Sequence, residues 1–113
     1  MKVSVVGGGN AGVFTALYWS WYGRDQNLEV ELFHDPEIPP EEVGQASLLV
    51  PPQMLWESCG FNWYNNPIKA TMKSGILYEG FGKVNDKVFH AFSPSTMAMH
   101  YSPSALQSYI LNS

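Results

Sequence analysis

"VSVVGGGNAG", residues Val3–Gly12, is the stretch that decides how this chain is read. Its valines favour extended backbone and its glycines stop a strand, so Lys2–Val6 is expected to be a short buried strand. A helix is expected next, over Asn10–Tyr22. On it Phe14, Leu17, Tyr18 and Trp21 recur at helical spacing, and Gly23 stands where a helix stops. After a polar loop at Arg24–Asn27, Leu28, Val30 and Leu32 alternate with Glu29 and Glu31. That alternation predicts a second strand over Leu28–Phe33. Strand, glycine loop, helix and strand together make a βαβ unit.

Within that unit Gly7, Gly9 and Gly12 satisfy the spacing G-x-G-x-x-G. Each has its own physical task. Gly7 permits the tight turn, Gly9 lets a pyrophosphate approach the backbone, and Gly12 allows the helix to pack close to the strand. The helix N-terminus adds free N–H groups and partial positive charge facing the phosphates. A dinucleotide cofactor is the expectation. Its ribose is commonly held by an acid at the tip of the second strand. Here the strand ends in "LFHD", so His34 stands at the expected place with Asp35 beside it, and either could be the ribose partner.

Composition narrows the class. One domain with a modest core is what 113 residues can build. A net charge of −4 with six Lys and Arg leaves no basic stripe, which argues against nucleic acid as a partner. The apolar run at the N-terminus is too short for a secretory signal or a membrane span. A single cysteine, Cys59, forms no internal disulfide, and a reducing, cytoplasmic setting is expected. His34, His90 and His100 lack the spacing of a shared metal site, so no metal is expected. Charged residues make up only 14%, as do aromatics, which points to a large aromatic core or a surface covered by further protein.

Beyond the βαβ unit, "HDPEIPPEEVGQAS" is proline-rich and reads as irregular loop. "VPPQMLWESCG" predicts a short helix closed by Gly60. Ala70–Phe92 predicts a β-ribbon with its turn near Asn85–Asp86. A last helix is expected near Pro103–Leu111, with Ser102 as N-cap and Pro103 in the first turn. The expected architecture is α/β: a Rossmann-like βαβ start with an inserted β-ribbon, and a sheet left incomplete because no third parallel strand is foreseen. The organisation expected is a single partial domain. Residues 1–47 would form the dinucleotide-binding βαβ and a strap, and 48–113 the ribbon and final helix.

Four phrases then line up in order: "VVGGGNAG", "IPPEEVGQAS", "ATMKSGILYEGFG" and "KVFHAF". Together they resemble the N-terminal signposts of flavin-dependent halogenases of the tryptophan halogenase type, and the middle phrase is most similar to the phage-encoded branch. The resemblance covers essentially this whole chain and only the front of the family's longer one. It implies FAD as cofactor, supplied as FADH2 by a separate flavin reductase. With O2 and halide this yields hypohalous acid, which a lysine directs onto a small aromatic substrate.

Residue by residue, the resemblance assigns Gly7, Gly9, Asn10, Ala11 and Gly12 to the FAD pyrophosphate loop. It assigns Gly44, Gln45, Ala46 and Ser47 to the strap over the flavin, with Gln45 where the family usually has glutamate. Lys73 matches the catalytic lysine and Phe92 an aromatic of the substrate pocket. Lys69, four residues earlier, is the rival lysine. The family's W-x-W-x-I-P motif and catalytic glutamate are foreseen in a missing C-terminal segment. "WSWYG" (Trp19–Gly23) is not that motif, and its tryptophans are expected to pack the first helix. The short stretch from Phe92 to His100 points away from tryptophan as substrate. Exposed apolar surface makes self-association, or a partner segment, a further expectation. Two other readings share the glycine loop: a different flavin or NAD oxidoreductase, and a non-catalytic nucleotide-binding module.

Overall fold

Two parallel strands, Lys2–Val6 (β1) and Glu29–Phe33 (β2), open the fold, with Val3 opposite Val30 and Val5 opposite Leu32. These positions come from a computed structural model, which describes residues 1–81, 87–93 and 97–113. Parallel strands cannot be joined by a tight turn, and the connection here is the helix Asn10–Tyr22 (α1). At the outer end Lys2 bridges Glu31 at 2.9 Å and Glu29 at 3.9 Å, tying the pair where its side chains meet water. The βαβ start is therefore present at the expected bounds, give or take one residue.

The inner face of α1 differs in detail from the expectation. Val13, Ala16 and Leu17 are buried and Phe14 is partly so, whereas Tyr18 and Trp19 are exposed. Trp21 is half-buried, with the Arg24 guanidinium 4.0 Å from its ring centre. The small residues Val13 and Ala16 let the helix approach its neighbours, and this displaced the large aromatics outward. Gly23 does end the helix, yet its φ is −94°, so it is not a left-handed stop. What demands glycine is space: a Cβ there would lie 2.6 Å from Trp19 O and 2.7 Å from Leu28 Cδ2.

The second helix, Val50–Cys59 (α2), carries proline in its first turn, where the missing N–H costs nothing. It closes as expected at Gly60, whose φ of +71° is left-handed, and Phe61 N–H reaches back to Leu55 O at 3.3 Å. The last helix, Pro103–Leu111 (α3), begins at Ser102, whose hydroxyl accepts the Ala105 N–H at 3.4 Å.

Between these helices lies a sheet that sequence patterning missed. Gln45–Ala46 (β3), Thr71–Lys73 (β4) and Ala98–Tyr101 (β7) form an antiparallel sheet in the order β3–β7–β4. The strap was expected as loop, Thr71–Lys73 as part of the ribbon, and Ala98–Tyr101 as no strand at all. The ribbon proper is Gly75–Glu79 (β5) with Lys87–Ala91 (β6), Leu77 facing Phe89 and Tyr78 facing Val88. Its expected turn near Asn85–Asp86 lies outside the described residues. The chain enters the ribbon just after Ser74; before it, Met72 pairs with Met99 and Lys73 with Ala98.

The core gathers where α1, α2, α3 and β7 meet. Leu55, Ile68, Met99 and Leu106 are fully buried, and Val13, Met54, Phe61 and Ile110 pack around them. The ribbon is exposed throughout β6, with Leu77, Val88 and Phe89 more than half exposed.

Candidate functional site

Gly7, Gly9 and Gly12 take three different geometries. Gly7 takes φ +122°, a conformation side chains rarely adopt, and its N–H continues the β1–β2 ladder to Phe33 O at 2.8 Å. A Cβ on Gly12 would collide with Gly7 O, so this glycine lets α1 close on the turn. Around Gly9 a Cβ would meet nothing within 4 Å. Gly9 caps α1 without a side-chain hydrogen bond, and no acid stands in the first turn. Among the described residues, no side chain satisfies the leading N–H groups of Asn10, Ala11 and Gly12. Open space over Gly9 beside uncapped amides is the cradle a pyrophosphate needs.

Two hollows meet at this loop. One, of about 710 Å³, is lined by Val6 and Gly7–Gly9, by Phe33, His34 and Asp35, and by the proline-rich loop as far as Glu41. The other, of about 470 Å³, is lined by Gly9–Gly12, Glu41, Gln45 and Pro103. His34 and Asp35 therefore stand at the cleft with the glycines, and Gln45 lines the second hollow at the same loop. Gln45 Nε2 donates to Glu41 Oε2 at 2.9 Å. Of the remaining strap residues, Gly44 and Ala46 are exposed and Ser47 is buried.

Ser47 links the strap to the lysine. Its N–H donates to Met99 O at 2.8 Å, and its Oγ accepts the Met99 N–H at 3.1 Å while donating to Leu48 O at 2.7 Å. Its remaining carbonyl accepts Lys73 Nζ at 3.4 Å. The same Nζ lies 5.7 Å from the centre of the Phe92 ring, and Phe92 N–H donates to Ser74 O at 2.8 Å. The structure thus brings together strap, lysine and aromatic. Lys69 is not part of this group: it is exposed, with φ +57°, in the turn that Asn66 ties to Ala70.

Some contributors left no trace in local patterning. Gln107 on α3 donates from Nε2 to Gly8 O at 2.7 Å, fixing the loop from the other end of the chain. Glu41 and Pro103 line the cleft through folding alone. Tyr101, opposite Gln45 in the sheet, has its phenol pushed above the usual range by burial and so stays neutral. Among the described residues no group of three His, Cys, Asp or Glu could hold a metal, and no helix is long and apolar enough to cross a membrane.

The chain is similar in fold to Xcc4156, a flavin-dependent halogenase from Xanthomonas campestris, with TM-score 0.75 and 16% identity over 98% of this chain and 32% of that one. It is also similar to BrvH, a flavin-dependent halogenase from Brevundimonas sp. BAL3, with TM-score 0.70 and 16% identity over 98% of this chain and 33% of that one. The chain thus spans about a third of the length of each. No curated protein matches it. The family described as tryptophan halogenase matches residues 2–112, the glycine loop, strap, lysine and final helix included. The chain belongs to the tryptophan halogenase family.

Proposed function

We propose that this chain is the FAD-holding and lysine-bearing part of a flavin-dependent halogenase. The observation that carries the proposal is the placement of Lys73. Its Nζ reaches the strap carbonyl of Ser47 and at the same time stands beside the ring of Phe92. A generic dinucleotide-binding module has no need of such a lysine.

The residues present fit FAD. The space over Gly9 and the uncapped start of α1 would hold the pyrophosphate, and His34 or Asp35 would meet the ribose. Gly44–Ser47 would cover the flavin as a strap. When bound and reduced by a separate flavin reductase, FAD supplies, with O2 and halide, the hypohalous acid. Lys73 would meet that oxidant: its ammonium would donate a hydrogen bond that makes the halogen more electrophilic, or its neutral amine would take the halogen, the O–X bond breaking and hydroxide leaving with the amine proton as water. Phe92 would frame the ring of a small aromatic substrate beside Nζ. Within the family we place the chain nearest the phage-encoded branch, on the wording of "IPPEEVGQAS". A cytoplasmic setting suits the reductant supply.

The test couples two readouts, NADH-driven flavin oxidation and halogenated aromatic product, on the protein and three variants. Lys73→Ala should leave flavin binding and oxidation intact while lowering product by about 10²–10³, the loss typical of a directed donor at developing charge. Lys73→Arg should fail as well, because guanidinium cannot act as a neutral amine. Lys69→Ala should be mild. Full product from Lys73→Ala would overturn the assignment.

A further inference from the structure

The glycine loop has no side-chain cation beside it. Neither hollow at the loop has Lys or Arg among its lining residues, and the Asp35 and Glu41 carboxylates stand there instead. Holding a phosphate at this place therefore falls to backbone N–H groups. Those of Asn10, Ala11 and Gly12 are aimed by α1 itself. Gly9 lies before the helix, in extended backbone at φ −77° and ψ −173°, and only its carbonyl joins the helical ladder, accepting the Val13 N–H at 3.0 Å. Its own N–H has no partner among the described residues.

Nothing local sets the direction of that N–H. It belongs to the peptide unit between Gly8 and Gly9, and neither residue has a Cβ to resist turning the unit over. A Cβ on Gly8 is barred by His34 Cβ at 2.7 Å and Gln107 Nε2 at 2.8 Å, while Gly9 is exposed and borders both hollows. The anchor comes from α3. Gln107 Nε2 donates to Gly8 O at 2.7 Å, across 99 residues of sequence. The peptide is trans, so its carbonyl and its N–H point to opposite sides. Holding Gly8 O against Gln107 therefore turns Gly9 N–H away from α3.

We propose that Gln107 is a positioning residue for the bound dinucleotide: by anchoring Gly8 O it presents Gly9 N–H to the pyrophosphate. The identity of the ligand rests on the FAD reading; the role of Gln107 adds a contributor from outside the glycine motif. A neutral amide suits the task, because its NH₂ group donates to the carbonyl. A carboxylate at this position would only accept. It would meet Gly8 O with no donor between them, and would draw Gly9 N–H toward α3 by turning the peptide over.

FAD affinity by fluorescence and backbone amide NMR, on wild type, Gln107→Leu and Gln107→Glu, test this. Leucine keeps the bulk of the side chain and removes the donor, whereas glutamate reverses its polarity. In wild type the Gly9 amide should move downfield as FAD is added, the mark of a hydrogen bond to an oxyanion. Gln107→Leu should weaken FAD by about tenfold, the loss of one hydrogen bond to a charged group, and should shrink the Gly9 response. In Gln107→Glu the Gly9 amide should be displaced before any FAD is added, and FAD should bind more weakly still. The Ala11 and Gly12 amides, aimed by α1, should respond to saturating FAD in all three proteins, which a general loss of structure would not allow. FAD binding to wild type with an unmoved Gly9 amide would overturn the positioning role, and that reading stands even if both variants fail to fold. FAD affinity equal to wild type in both variants would overturn it too. Failure of wild type to bind FAD at all would instead overturn the FAD reading, and the role of Gln107 with it.

Discussion

Lys73 Nζ donates to the carbonyl of Ser47 across β7, the strand between β4, which carries Lys73, and β3, which ends just before Ser47. Ser47 is 6% exposed and spends its amide and hydroxyl on Met99 and Leu48, so the carbonyl that meets the lysine is held by three other bonds of the same residue. Ser47→Ala should leave the buried Met99 N–H without its hydroxyl acceptor and cost about 1–3 kcal/mol of stability. Urea denaturation would read this directly. A midpoint equal to wild type would show that the hydroxyl is dispensable to the sheet.

Two glycines of one motif should respond in opposite ways. Gly12→Ala drives a Cβ into Gly7 O and should destabilise the fold by about 1–3 kcal/mol or more. Gly9→Val enters open space on extended backbone, φ −77° and ψ −173°, and should leave the melting temperature nearly unchanged. It should nonetheless abolish FAD retention by filling the place of the pyrophosphate. Thermal melts with and without FAD separate the two effects. Equal flavin retention in Gly9→Val and wild type would refute a pyrophosphate at this loop.

The core prediction falls on α3. Leu106 is fully buried among Leu55, Ile68 and Met99, and Leu106→Ala should cost about 2–5 kcal/mol through lost burial and the cavity left behind. Because α3 also carries Gln107, the same change should weaken FAD binding even where the protein remains folded. A change of less than about 1 kcal/mol would mean that the site collapses without penalty.

One pH dependence follows from the contact of α1 with α2. Tyr22 Oη donates to Glu57 Oε2 at 2.6 Å, which holds the Glu57 carboxyl below its usual range and lifts the Tyr22 phenol above its own. The stabilisation is complete only while Glu57 is charged and Tyr22 is protonated. It is lost on the acid side as pH falls through the lowered carboxyl pKa, and on the alkaline side as pH rises through the raised phenol pKa. In Tyr22→Phe the Glu57 carboxyl, observed by NMR titration, should move up toward the ordinary value of about 4.3. An unmoved titration would show that the hydrogen bond does not form in solution.

The sequence by itself determined the elements that follow local rules. β1, α1 and β2 were legible because strand and helix periodicities and the glycine stop act within a few residues. The same holds for α2 with its left-handed Gly60, and for α3 with Ser102 and Pro103 at its start. The candidate site was legible as a set of residues, since Gly7, Gly9, Gly12, Gln45, Lys73 and Phe92 stand in recognisable phrases. Tertiary structure alone decided how those phrases meet. It made the strap a strand, paired Gln45 with Tyr101 and Lys73 with Ala98, and turned Tyr18 and Trp19 of α1 outward. It also chose Lys73 over Lys69 as the neighbour of Ser47, and sent Gln107 to Gly8. The physical reason is one of range. Periodicity and capping are satisfied within a turn or two of chain, whereas strand partners are chosen by which distant segments can bury their apolar faces while keeping every backbone N–H and C=O bonded.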